Sequence, residues 1–296
     1  MGHQLWTSPI TGYRRKGTRI SELRSLLGSG ITALAILEPL KSCRSSEAAV
    51  NMASELQRRE FDVAGVKDDE KAPVKGFVIT SELTDGTIQD HIHACEPQHL
   101  VSEAIPLHEL LSVLKTRTYV FVVLGSEIRG IVTRTDLNKP PVRIYLFGII
   151  SLFEMHLTFW LRIIMSGKQI EECISEKRLA GAMQLQGERA KRNEHVDLIE
   201  CLQLCDKRDI VVGDDRTREL LGMGNKGQAT EKIRELEDLR NRLAHSQQDL
   251  SQSSKWETII ELVEWVERTV ETSDARVEEE ARHQSGETAD KLLGSL

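Results

Sequence analysis

The chain of 296 residues carries 39 Lys and Arg against 46 Asp and Glu, a formal charge of −7, with 40% hydrophobic and 4% aromatic residues. That length suits two domains, each able to bury its own core. The acidic balance excludes a globally cationic protein, so contact with nucleic acid or an acidic membrane needs a local basic patch. Cys43, Cys95, Cys173, Cys201 and Cys205 form no CxxC spacing and are odd in number, which fits neither a zinc site nor a disulfide framework. Residues 1–29 read as an N-terminal extension without the apolar core of a cleaved leader, so a reducing cytoplasmic setting is expected.

From Gly30 to Leu137 short β-rich runs alternate with helical ones. Ser46 to Arg59 has apolar Ala49, Val50, Ala53 and Leu56 at helical spacing. The strand-like FDVAGV (Phe61 to Val66), a charged loop and GFVITSEL (Gly76 to Leu83) follow. The order then recurs: helical Leu107 to Arg117, the apolar strand Tyr119 to Leu124, a turn at Gly125 and Ser126, and GIVTRTDL (Gly130 to Leu137), which repeats GFVITSEL. An internal duplication of this kind decides the fold class, here α/β over residues 30–139.

From Pro140 the β signal mostly stops, and residues 140–272 read as an all-α unit. Helices are expected over Ile144 to Met165, Glu171 to Lys191, Glu194 to Cys205, Ala229 to Asp249 and Lys255 to Thr272, interrupted by a strand-like VVG near Ile210. Ile144 to Met165 is long enough to cross a bilayer, but Glu154 and His156 lie at its middle and Arg162 near its end. A central charge costs about 2.5–3.5 kcal/mol on insertion, so a buried or dimer-facing helix is expected and no membrane span. Glu154 then needs a partner inside the protein, with Arg143 and Arg162 as candidates. In the last helix Trp256, Ile259, Ile260, Val263, Val266 and Val270 share one side. Residues 273–296, polar and acidic, read as a disordered tail.

The duplicated half, from about Leu34 to Leu137, resembles the cystathionine-β-synthase (CBS) domain, which occurs as a tandem pair. The most specific piece is Gly130-Ile131-Val132-Thr133-Arg134-Thr135-Asp136: glycine, two apolar residues, a hydroxyl, two variable residues and Asp. The resemblance implies a regulatory adenine nucleotide (AMP, ADP, ATP or a cyclic adenylate), with Thr133 and Asp136 on its ribose. An ionised Asp is an acceptor suited to a diol, and Lys139 and Arg143 are candidate phosphate partners. The first copy puts Ile79 where Thr133 sits and Glu82 where Asp136 sits, which favours one asymmetric site per pair. The bland alternative makes Thr133 and Asp136 ordinary turn and cap residues.

The other half, Pro140 to Thr272, resembles the HEPN superfamily (higher eukaryotes and prokaryotes nucleotide-binding), whose motif is Arg, four to six residues, then His. It is carried here by Arg240-Asn241-Arg242-Leu243-Ala244-His245. Many members are metal-independent endoribonucleases, toxins or defence effectors; others are inactive scaffolds. The chemistry is intelligible without a metal: His245 can move a proton near neutral pH, and Arg240 can clamp the scissile phosphate. On one helix face Asn241 could orient His245. Arg240 lies about 140° from His245 on an ideal helix, so convergence on one phosphate needs a second copy across a two-fold, as the resemblance also implies. Otherwise Arg240 pairs with Glu237 or Asp238, and His245 simply ends the helix.

Weaker signals remain. Gly222 to Gly227 matches GxGxxG but follows a helical segment, so it fails the context of a dinucleotide fold and reads as a loop in which Asn225 and Lys226 could touch phosphates. Glu188 to Arg192 and Tyr13 to Lys16 are local basic runs, most often solvated faces. His91, His93, His99 and His108 form no metal-ligand pattern and receive no role. The expected protein is a homodimeric, nucleotide-regulated endoribonuclease acting on RNA. The alternative is a non-catalytic, nucleotide-binding dimerisation or scaffold protein.

Overall fold

In a computed structural model of the chain, the residues described are 17–28, 30–165, 170–194, 196–245, 249–252 and 254–293. They fall into two compact units, Gly28–Val142 and a second formed by Met1–Leu27 with Arg143–Leu296.

In chain order, helix α1 (Ile20–Gly28) precedes the α/β unit. That unit comprises β1 (Glu38–Pro39), β2 (Ser42–Arg44), α2 (Ala49–Arg58), β3 (Val63–Lys67), β4 (Gly76–Ile79), β5 (Leu100–Ser102), α3 (Leu107–Thr116), β6 (Tyr119–Leu124) and β7 (Glu127–Thr133). The duplication is visible in the pairing: β2 runs parallel to β3 and β3 antiparallel to β4, as β5 runs parallel to β6 and β6 antiparallel to β7. Parallel neighbours need a crossover, which α2 and α3 supply. Each buries an apolar stripe: Ala49, Met52, Ala53 and Leu56 in α2, and Leu107, Leu110, Leu111 and Leu114 in α3.

The two repeats exchange their leading segments. β1, which precedes the first repeat, pairs with β7 of the second, Pro39 opposite Gly130. His93, which precedes the second, bridges Phe77 of the first. Glycine permits both approaches. A Cβ on Gly76 would lie 2.5 Å from Ile92 Cγ2 and 2.6 Å from the His93 carbonyl oxygen, and one on Gly130 would lie 2.9 Å from Leu37 Cδ1. Between the repeats Phe77 packs on Phe121 at 5.1 Å, on His93 at 5.3 Å and edge-on to His99 at 5.4 Å. The histidines left without a role by the sequence thus include two that pack the pair together.

The helical unit comprises α1 with α4 (Pro140–Met165), α5 (Glu176–Ala190), α6 (Leu204–Gly213), α7 (Asp215–Leu220), α8 (Lys226–Ala244) and α9 (Trp256–Leu293). Among the described residues α4 is the one helix long and apolar enough to cross a membrane, and 61% of its most apolar window is buried within the protein. Its buried Tyr145, Ile149, Phe153, Leu157 and Leu161 recur at helical spacing.

Several expectations are corrected. The extension over 1–29 contains α1, which is tied to the helical unit: Arg24 donates to Glu267 at 2.8 Å and also to Glu271, and the Ile20 N–H donates to Asp274 at 2.9 Å. The strand-like Val211-Val212-Gly213 lies inside α6, where burial of both valines overrides their β preference. The helix expected over Glu194 to Cys205 is only a 3-10 turn, Leu198–Cys201, whose start is capped by Asp197 accepting from the Glu200 N–H. The tail does not begin at residue 273. α9 continues to Leu293, with Ser273 and Val277 buried, through a Glu-, Ala- and Arg-rich stretch of good helix formers.

Candidate functional site

Thr133 ends β7 in an extended conformation, and the chain then turns through a 3-10 segment, Arg134–Asn138. The Thr133 N–H and hydroxyl both donate to Asp136 Oδ2, at 2.7 and 2.9 Å. Lys139 Nζ lies 2.9 Å from Asp136 Oδ1, 2.5 Å from Glu38 Oε1, and donates to the Ile36 carbonyl at 2.5 Å. Desolvation would lower the Lys139 pKa, but hydrogen bonds to Asp136 and Glu38 outweigh it and hold the ammonium above its ordinary value. Asp136 is only 7% exposed, so both of its oxygens are satisfied from within the protein. A ribose hydroxyl reaching Oδ1 would compete directly with Lys139.

Of the four residues expected on the nucleotide, Thr133, Asp136 and Lys139 are brought together, and Arg143 is not. Arg143 Nη1 donates to the carbonyls of Arg242 and His245, each at 3.4 Å. A helix end leaves such carbonyls without intrahelical partners, and a cation is the natural group to meet them. Two residues of this cluster, Ile36 and Glu38, were missed because they come from the exchanged segment about a hundred residues away. The spacing of the motif gives no sign of them.

The first repeat differs at the corresponding place. Ile79 supplies no hydroxyl, and Glu82 Oε2 meets His93 Nε2 at 2.6 Å, with His93 at the position of Glu38 in the exchanged segment. Elsewhere in that repeat, Thr87 donates through its N–H and hydroxyl to Asp90 Oδ2 at 2.8 and 2.9 Å. The backbone N–H first, and the hydroxyl second, hold the Asp90 carboxyl below its ordinary range. The same Thr–Asp box therefore occurs twice in this unit, and the box alone closes a turn without any ligand. A separate cleft of about 370 Å³ is lined by Lys67, Lys71, Arg129, Glu70 and Glu127 over Leu40 and Ile128, and by none of the motif residues.

In the helical unit Glu154 is paired, but with neither expected partner. Its Oε2 accepts from Arg240 Nη1 at 3.0 Å and its Oε1 from Lys207 Nζ at 3.1 Å. The Glu154 and Arg240 side chains are 28% and 35% exposed, and Lys207 is 7% exposed. Arg162 goes instead to Asp197 at 2.7 Å and Glu200 at 2.9 Å. Glu237, an expected alternative partner of Arg240, is taken by Arg208 at 2.9 Å. Burial pushes the Glu237 carboxyl up, against the pull of the Arg208 charge.

His245 lies just past the end of α8, with φ −106° and ψ 99°, and is exposed. The shared helix face expected for Asn241 and His245 therefore does not carry through, and among the described residues no hydrogen bond joins them. Within one chain Arg240 is drawn to Glu154, and His245 stands at the exposed end. The GxGxxG loop is a tight connection between α7 and α8, with Gly222 and Gly224 at φ 63° and 81°. Asn225 caps α8 by accepting from the Gln228 N–H at 2.9 Å. In the basic run 188–192, Arg189 meets Glu194 at 3.5 Å; the run 13–16 lies outside the described residues. Among the described residues no three His, Cys, Asp or Glu gather as metal ligands.

No protein-family description matches the chain, and no curated protein matches it. Solved structures are similar over its N-terminal part. The CBS domain of a bacterial CNNM/CorC-family Mg2+ transporter in complex with ATP shares 16% identity over 40% of this chain and 91% of that one, with a TM-score of 0.33. A CBS domain-containing protein of unknown function from Bacillus anthracis shares 11% over 38% and 94%, with a TM-score of 0.34. CBSX2 in complex with AMP shares 17% over 39% and 98%, with a TM-score of 0.34.

Proposed function

We propose that the protein is a homodimeric, cytoplasmic, metal-independent endoribonuclease whose helical unit is regulated by an adenine nucleotide bound to its α/β pair. The observation that carries the catalytic part is Arg240. It is a guanidinium held at 3.0 Å by Glu154, yet more than a third exposed, with donors left for a phosphate. In the reaction, the imidazole of His245 takes the proton of an RNA 2′-hydroxyl. The 2′-oxygen bonds to phosphorus as the bond to the 5′-oxygen breaks, and the departing oxygen takes up, through water, the proton that His245 removed. The products are a cyclic phosphate and a 5′-hydroxyl end. Arg240 of a second copy stabilises the charge on the phosphoryl oxygens, and Asn241 contacts substrate or imidazole.

The nucleotide part rests on Thr133, Asp136 and Lys139. A ribose diol displaces Lys139 from Asp136 Oδ1, and the freed ammonium turns to the phosphate. Lys139 immediately precedes α4, the helix that carries Glu154, which gives binding a covalent route to the helical unit. Regulation further requires that the nucleotide bind two dimer states unequally. One observation favours a non-catalytic scaffold: both the Thr133–Asp136 box and the Glu154–Arg240 pair are complete without ligand. The readings separate in RNA incubated with purified protein in EDTA. Fragments ending in cyclic phosphate, lost in both R240A and H245A, support the nuclease. Cleavage unaffected by either change contradicts it.

A further inference from the structure

We infer that Glu154 is a positioning residue for Arg240 at an oligonucleotide-phosphate site, and that buried Lys207 holds Glu154 in place from its other oxygen. The inference deepens the proposed function by assigning two residues that its sequence motif does not contain. Three helices meet at one carboxylate: α4 supplies Glu154, α6 supplies Lys207 and α8 supplies Arg240, with contacts of 3.1 and 3.0 Å. Two cations share a single acid, so the cluster carries one net positive charge in a chain whose net charge is −7. Glu237, three residues before Arg240 on α8, is occupied by Arg208 at 2.9 Å. Lys207 is an ammonium 7% exposed, and a buried cation is tolerated only beside a counter-charge. Glu154 supplies that charge from the middle of a mostly apolar helix.

Glu154 therefore fixes the Arg240 side chain from behind, through one Nη1 donor, and leaves its remaining N–H groups for an anion. The anion that meets the exposed N–H groups of this guanidinium is a phosphodiester of the substrate backbone. Tyr145 and Glu267, also on α4 and α9, are committed to each other at 2.6 Å and to Arg24, so they do not compete for the site.

The test is binding of a fluorescent 2′-O-methyl oligoribonucleotide, which cannot be cleaved through its 2′-oxygen, followed by anisotropy with the full chain. Charge alone predicts that E154Q, which removes a negative group, binds more tightly. Positioning predicts the opposite: E154Q weakens binding about tenfold, like R240A, and the double variant is no weaker than R240A alone. Should E154Q not fold, K207M tests the same arrangement from its other side, with weaker binding and an unchanged salt slope, since Lys207 itself meets no phosphate. Tighter or unchanged binding by E154Q, losses that multiply in the double variant, unchanged K207M binding, or no binding by the wild-type chain would each overturn the inference. If the wild-type chain binds with the coupled pattern yet cuts no RNA, the nuclease reading falls while the positioning role stands. If it cuts RNA and E154Q binds like wild type, the reverse holds.

Discussion

The α/β unit and the helical unit handle charge in different ways. In the α/β unit the informative polar groups pair mostly with near neighbours in sequence: Thr87 with Asp90, and Thr133 with Asp136, both three residues apart. In the helical unit they pair across the chain: Lys207 with Glu154 at a separation of 53 residues, Arg240 with Glu154 at 86, and Tyr145 with Glu267 at 122. Local Thr–Asp boxes satisfy themselves and recur, so they point only weakly to a ligand. A half-buried carboxylate where three helices meet is costly unless it is matched, and its two cations come from elements far apart in sequence. The contrast directs attention to the helical unit for chemistry and, for regulation, to Lys139, which the exchanged segment reaches through Ile36 and Glu38.

That contrast can be broken, starting with the largest effect. E154A leaves Lys207 and Arg240 without their counter-charge and is expected to cost about 3 kcal/mol, tempered by the partial exposure of Arg240. K207M leaves Glu154 its Arg240 partner and should cost about 1 kcal/mol or less. Denaturant unfolding of both variants checks the asymmetry, and equal costs would show that the pairs are independent. Next come the two close approaches in the α/β unit. G76A drives a methyl against the His93 carbonyl and should cost about 2 kcal/mol, whereas G130A meets the movable end of Leu37 and should cost less than about 1 kcal/mol. A reversed order in melting temperatures would mean that the two exchanged segments are not held alike.

A smaller effect concerns ligand. Calorimetric titration with AMP should show D136N binding about tenfold more weakly than wild type, a loss of about 1.4 kcal/mol, with E82Q unaffected. Equal losses would place ligand on both repeats. The smallest effect is one of pH. Because the Asp90 carboxyl is held below its ordinary value, its contribution is full at neutral pH and drains away as pH falls below about 4 through its lowered value. D90N should therefore melt earlier than wild type at pH 7, and the gap should close in acid. A gap independent of pH would assign the effect to packing.

Much of the α/β unit was legible because duplication imposes the same pattern twice. GFVITSEL and GIVTRTDL mark both β-hairpins, and Tyr119–Leu124 is a strand with the bounds its apolar run suggests. What was not legible is the exchange of leading segments, which brings Glu38 to Lys139 and His93 to Glu82. No local spacing encodes a strand that pairs with the other repeat. In the helical unit the apolar α4 and the side of α9 bearing Trp256, Ile259 and Val263 followed from periodicity. The valines of α6 misled because tertiary burial, not intrinsic preference, decides a short β-branched run. The need of Glu154 for a partner was readable from its place in an apolar helix, but the identity of that partner was not, since Lys207 and Arg240 reach it only through the packing of α6 and α8. Arg240 and His245 were legible as a motif, but not the end of α8 at Ala244, which leaves His245 outside the helix.

The central claim is that a guanidinium of one copy and an imidazole of another act on one phosphodiester, and mixing inactive subunits tests it most directly. R240A and H245A chains, each inactive alone on RNA in EDTA, are unfolded together and refolded as mixed dimers. Random pairing makes about half of the dimers mixed, each with one complete site, so about a quarter of wild-type cleavage should return. No recovery in a mixture proven to contain mixed dimers, alongside an active wild-type chain, would contradict the account.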